Sequence, residues 1–235
     1  MDSLSFKIKH IQKILIADYY PVGIKIVQNN ESSWDQSFQV INCKKRFCYY
    51  VRLAAQGKKI VLKADEDPDC YTPYICLGFT EPEYVDFNPR IKPATTKSVV
   101  LAPVNYLKYP IDSIAFIVNA KQAMILVGAL RRISKRKVGA TFGASMAVCG
   151  EIVAHTITEK TPNLSMLCHG ARIFSGYTDN ELVFGIPFHL FEDLYAALKK
   201  AEKMQEFETN LKKSEVNECL DLPKKRSEGI VGKSL

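Results

Sequence analysis

No run of apolar residues in this 235-residue chain reaches the roughly 18–20 that a membrane-spanning helix needs. The opening Met1-Asp2-Ser3-Leu4 lacks the basic head, apolar core and small-residue cleavage site of a secretory signal. There is no complete G-x-G-x-x-G, and no P-loop lysine follows the glycines between Gly139 and Ser145. There is also no Cys-x-x-Cys, which excludes ferredoxin-like and zinc-ribbon ligand spacings. These absences point to a cytoplasmic protein with neither a nucleotide fingerprint nor a local metal motif.

What the chain does have is seven cysteines, an odd count for a protein without an export signal. Structural disulfides are not expected in a reducing compartment. The thiols are then buried apolar groups, metal ligands or redox centres. The net charge of +7 draws on Arg131, Arg132, Lys135, Arg136 and Lys137. These suit a solvated helix C-terminus, where cations are favoured. No nucleic-acid motif or interleaved aromatics accompany them, so no nucleic-acid partner is expected.

The thiols are not scattered. Cys70 to Thr80 reads C-Y-T-P-Y-I-C-L-G-F-T, and Cys168 to Thr178 reads C-H-G-A-R-I-F-S-G-Y-T. Laid together without a gap, Cys70 meets Cys168, Ile75 meets Ile173, Gly78 meets Gly176, Phe79 meets Tyr177 and Thr80 meets Thr178. Upstream, Cys48-x-x-Val51 stands before Cys70 much as Cys149-x-x-Ile152 stands before Cys168. The two separations differ by three residues, which a loop absorbs. The pattern predicts a mixed α/β unit over residues 1–203, built from two sequence-related halves near 20–90 and 110–200 in a pseudo-two-fold duplication. A charged tail follows over 204–235.

Element by element, Ser3 caps a first helix with Leu4, Ile8, Ile11 and Leu15 on one face. Val22–Val27, Lys59–Lys63, Val99–Val104 and Ile114–Val118 read as strands. A helix is expected from Asn42 to about Gln56, a strand at Ile75–Thr80, and helices at Lys121–Ser134 and Met146–Ile157. A last helix is expected to start at Gly185-Ile186-Pro187, with proline in its first turn.

Pro21-Val22-Gly23-Ile24-Lys25, Cys48, Cys70 with Leu77-Gly78-Phe79, Cys149, Cys168-His169-Gly170-Ala171-Arg172 and Gly185-Ile186-Pro187 together resemble a family of uncharacterised archaeal and bacterial proteins. It is catalogued as domain of unknown function 169, and the resemblance covers roughly residues 5 to 203. The family implies an organisation and a boundary but no reaction or cofactor.

The chemistry is argued from the cysteines. Cys48, Cys70, Cys149 and Cys168, meeting at the junction of two halves, could hold a [4Fe–4S] cluster, since thiolates are the usual ligands of such clusters. Zinc held by the same four is the alternative. Gly143 and Gly170 would let backbone N–H groups approach the sulfurs, and Arg172 would offset negative charge. Cys43 or Cys76 could replace one of the four. A thiol enzyme pairing Cys168 with His169, or Cys149 with His155, is a further reading. So is a scaffold or small-molecule-binding domain in which the thiols only pack. A cluster would imply a redox or cluster-transfer partner protein. An oligomer is compatible with all of these readings.

Overall fold

Seven strands form one sheet in the order β2-β3-β4-β1-β5-β7-β6. The computed structural model describes residues 3–31, 37–81, 89–107 and 110–202. The tail beyond, including Cys219, lies outside the described residues, as does part of the proline-punctuated stretch after Glu81. The strands are β1 (Val22–Gln28), β2 (Gln39–Asn42), β3 (Ile60–Lys63), β4 (Thr96–Pro103), β5 (Ser113–Val118), β6 (Asn163–Ser165) and β7 (Leu182–Pro187). Only β2 and β3 pair in parallel; every other neighbour is antiparallel.

Both faces of the sheet are covered. Because side chains alternate along a strand, β5 sends Ala115 and Ile117 to one core and Ile114, Phe116 and Val118 to the other. On the second core lie α1 (Leu4–Leu15) and α4 (Ala120–Ser134). The start of α7, a helix running through residues 191–202, lies there too, with Phe191, Leu194, Tyr195 and Leu198 buried. On the first core lie α2 (Phe47–Ala55), α3 (Thr72–Cys76), a π-helix (Ala147–Ala154) continuing into α5 (His155–Thr158), and α6 (His169–Ser175). The chain divides into a compact unit, Met1–Leu198, and a second, Lys199–Leu235, whose described residues 199–202 are helical.

The first helix forms as its sequence directs. The Ser3 hydroxyl accepts the Phe6 N–H at 3.2 Å, and Ile8, Ile11 and Leu15 are buried. Asn119 and Gln122 close a reciprocal capping box on α4. Four expectations change. The helix expected from Asn42 begins at Phe47, because Asn42 ends β2 and pairs with Lys63. The strand expected at Ile75–Thr80 is the short helix α3. Pro73 sits in its first turn, where proline's fixed φ is already helical, and Gly78 leaves it with a left-handed φ of 76°. The helix expected at Met146 is π-helical over its first eight residues. Gly185-Ile186-Pro187 ends β7 instead of starting a helix. Val183 faces the first core, Phe184 and Ile186 face the second, and Pro187 stands at the strand's last position.

Candidate thiol site

The π-helix is the centre of the site. All eight of its residues are buried, and its sequence A-V-C-G-E-I-V-A carries one thiol and one carboxylate. π-Helical turns are rare and concentrate at functional sites. Cys149 projects against α3, where its thiol lies in one core with Cys76 and approaches the Thr72 hydroxyl at 3.9 Å. The same hydroxyl lies 3.1 Å from Cys70, in the loop that enters α3. Packing is tight at this point. A methyl group on Gly150 would stand 3.3 Å from the Cys76 sulfur.

Cys48 comes from α2. Its thiol meets the Ser175 hydroxyl of α6, and its carbonyl accepts the Tyr177 hydroxyl at 3.0 Å. Cys168 is the N-cap residue of α6 and is half-buried, as is Cys70. Cys43, Cys48, Cys76 and Cys149 are buried, and all six described cysteines are free thiols.

Burial sets the charge state of the innermost thiols. Burial pushes the Cys48 thiol up to about 12; the Ser175 hydroxyl opposes this, while Cys168, Cys149 and Cys70 add to it. Burial likewise pushes Cys43 up to about 12, with Cys149 and Cys70 adding to it. Cys149 is raised well above the ordinary thiol value, first by the neighbouring Cys76 thiol and then by burial. Cys43, Cys48, Cys76 and Cys149 lie in one core with Cys168 packed against it, Cys70 and Cys149 share the Thr72 hydroxyl, and the innermost thiols are neutral at physiological pH. Among the described residues, no three Cys, His, Asp or Glu side chains stand close enough to hold a metal ion between them.

The other residues singled out from sequence have well-defined partners. The Gly143 and Ala144 N–H groups donate to one carboxylate oxygen of Glu151, the latter at 3.0 Å. The glycine-bearing loop therefore cradles an internal carboxylate. Gly170 makes room for Arg46: a side chain there would begin 2.6 Å from Nη1 of that guanidinium, which also stacks on Phe174. Arg172 gives its N–H groups to the carbonyls of Met166, before α6, and of Thr178 and Glu181, after it, fastening α6 to the segments on both sides. His155 bonds with Thr161 at 3.0 Å, and burial lowers its pKa; His169 is exposed. Arg52 pairs with Glu181 at 2.9 Å and donates to the Tyr19 hydroxyl at 2.6 Å, bridging α2 to the segment after α6.

Sequence reasoning missed Thr72, Ser175 and Glu151. Only Glu151 left a signal, as a lone acid inside the apolar run Ala147–Ala154.

The family model described as "Uncharacterised ArCR", domain of unknown function 169, matches residues 10–197. The chain is similar to Uncharacterized protein MJ0308 of Methanocaldococcus jannaschii, 24% identical over 215 residues that cover 81% of this chain and 91% of that protein. No solved structure matches it.

Proposed function

The chain belongs to the family of uncharacterised proteins defined by domain of unknown function 169, and from that premise we propose that it is an iron–sulfur protein. Cys48, Cys70, Cys149 and Cys168 would hold a [4Fe–4S] cluster between two related halves of the fold. The observation that supports this reading is that free thiols from α2, the α3 loop, the π-helix and the start of α6 lie on one side of the sheet, in or beside one core. Soft thiolates favour iron–sulfur centres or zinc over hard cations. When bound, such a cluster supplies one-electron chemistry or a transferable cluster. The residues of the chain would ligate it, exclude water from it and release protons as it loads.

The halves are part of the same proposal. Outward from the central pair β1 and β5, the sheet runs β1-β4-β3 on one side and β5-β7-β6 on the other, with β2 added at one edge. Cys70 precedes α3 and Cys168 precedes α6, and Gly78 and Gly176 then leave those helices at φ 76° and 75°. Cys48 and Cys149 each lie on the helix before the β3 and β6 strands. Duplication would bring two equivalent thiol pairs to one shared pocket.

A second reading has its own observation. The buried, protonated thiols, with no three ligands among the described residues within reach of a single ion, also suit a core in which cysteine only packs. The same geometry weighs against a lone tetrahedral zinc; a cuboidal cluster separates its ligands more widely.

Purification without oxygen decides among these readings. The cluster reading expects iron and acid-labile sulfide in near-equal amounts, broad visible absorbance, and loss of both in Cys70→Ser and Cys168→Ser with helix content kept. Colourless protein free of iron, or full iron content in either variant, overturns it. Zinc without sulfide selects the alternative metal.

A further inference from the structure

We propose that the groove beside the end of α4 is a binding site for a small carboxylic acid with an apolar body. This goes beyond the thiol site and is independent of it. The groove has a volume of ≈ 450 Å³, within the range of small-molecule sites. Its floor is aliphatic, from Leu130 and Ile133 of α4, Val138 of the following loop and Leu190. Its rim carries Arg136 and Lys137.

Three observations set the chemistry. The first is the concentration of charge. Arg131, Arg132, Lys135, Arg136 and Lys137 fall within seven residues, and among the described residues no carboxylate pairs with any of them. The α4 C-terminus accounts for Arg131 and Arg132, which lie in its last turn. Arg136 and Lys137 lie past the left-handed residue Lys135 that ends the helix, and they line the groove.

The second is that the wall is built in advance. The Thr141 N–H donates to the side-chain oxygen of Asn163 at 2.9 Å. The Asn163 amide donates back to the Thr141 carbonyl at 3.2 Å and to the Glu151 carbonyl at 2.8 Å. Asn163 is 1% exposed, so the wall is anchored in the core. Preformed walls spare a ligand the cost of ordering them.

The third is the match of shapes. An aliphatic floor has no use for a bare phosphate or sulfate; no Phe, Tyr or Trp lines the groove to stack a base, and the lining imidazole of His155 is engaged by Thr161. A cationic rim has no use for a neutral oil. A guanidinium takes a carboxylate through two parallel hydrogen bonds, while an ammonium adds a point charge. An apolar body on the floor with its carboxylate at Arg136 satisfies both parts.

The test uses the whole protein, the amphipathic anion 1-anilinonaphthalene-8-sulfonate as fluorescent probe, and decanoate and decanol as competitors. We expect saturable binding that decanoate displaces and equal decanol does not. Arg136→Glu with Lys137→Glu should weaken decanoate about tenfold or more, the size of a lost charge-assisted contact. Ile133→Asp should weaken it also. Phe174→Ser, at a separate exposed ring, should change nothing. The proposal is overturned if binding does not saturate or if decanol competes as well as decanoate. It is equally overturned if the charge reversal leaves affinity intact in protein with unchanged circular dichroism, or if Phe174→Ser abolishes binding.

Discussion

The Cys48 thiol lies 3.1 Å from the Ser175 hydroxyl, and the contact joins α2 to α6 across 127 residues of sequence. Both groups are buried. A buried hydroxyl that loses its partner has no water to turn to, so the pair is worth about 1 kcal/mol. Ser175→Ala should lower unfolding free energy by about that amount in urea titrations. The hydroxyl also favours the Cys48 thiolate, so the variant should alkylate more slowly at Cys48 in alkaline buffer. A variant that alkylates faster would show that the hydroxyl shields the sulfur and does not support its charge.

Thiol reactivity should divide by burial. In metal-free, reduced protein at pH 8, iodoacetamide should label the half-buried Cys70 and Cys168 first. Cys48 and Cys43, raised to about 12, should stay unlabelled until the protein unfolds. Only about one molecule in 10⁴ carries the reactive thiolate four units below its pKa. Peptide mass spectrometry after a time course reads the order directly. Equal labelling of Cys48 and Cys70 would contradict the burial argument.

The same shifts set a pH dependence. A thiol whose pKa rises from 9.0 to about 12 on folding is held neutral by the fold. Its contribution is fully present below about pH 9 and is lost as pH rises through 12. Stability of the reduced, metal-free protein should therefore be flat to about pH 9 and fall above it. Each of the two groups contributes on the order of 2–4 kcal/mol to that fall. Cys43→Ala with Cys48→Ala should make the alkaline limb shallower in denaturant titrations at pH 8, 9.5 and 11, whatever its effect at neutral pH; Tyr74, also pushed up to about 12 by burial, and the raised Tyr177 and Cys149 supply the remainder.

Two glycines at matching places in sequence should answer differently to alanine. Gly78 and Gly176 both have left-handed backbone, which costs alanine about 1–2 kcal/mol. At Gly176 a methyl group meets nothing nearer than Arg52 at 3.6 Å. At Gly78 it falls 2.6 Å from the backbone oxygen of Lys92. Gly176→Ala should fold with a modest drop in melting temperature, and Gly78→Ala should lose considerably more.

The strands that proved easy to read, Val22–Gln28, Thr96–Pro103 and Ser113–Val118, lie in the middle of the sheet and are rich in β-branched residues. Those missed had weaker or conflicting signals. Gln39–Asn42 is a mostly exposed edge strand whose order comes from its parallel partner. Leu182–Pro187 ends in the Gly-Ile-Pro that mimics a helix start. The echo around Cys70 and Cys168 was legible because cysteine is sparse in the chain and a glycine follows each of the two at the same distance. The hydroxyls of Thr72 and Ser175 were not, because many serines and threonines serve as solvent-facing groups and spacing alone does not select these two. Nor does sequence periodicity separate a π-turn from an α-turn over an eight-residue stretch that is apolar but for Glu151.

Glu151 is where the π-helix, the glycine-bearing loop and β6 are tied together. Its carboxylate, 7% exposed as a residue, accepts from the N–H groups of Gly143 and Ala144 and from the Ser165 hydroxyl. Each donor left unmatched in a buried site costs about 1–3 kcal/mol, although the two backbone donors can reach water if the loop lifts away. Glu151→Ala should therefore cost about 3 kcal/mol and expose the stretch from Gly139 to Ser145 to protease. Glu151→Gln keeps one acceptor oxygen and should cost less, because the amide can retain the two backbone donors while its NH₂ group faces Ser165. If the wall beside α4 depends on this anchor, decanoate affinity should fall in the alanine variant and largely survive in the glutamine variant. Limited proteolysis and urea titration of both variants separate a latch, which releases one loop, from a packing residue, whose loss weakens the whole unit without a new cleavage site.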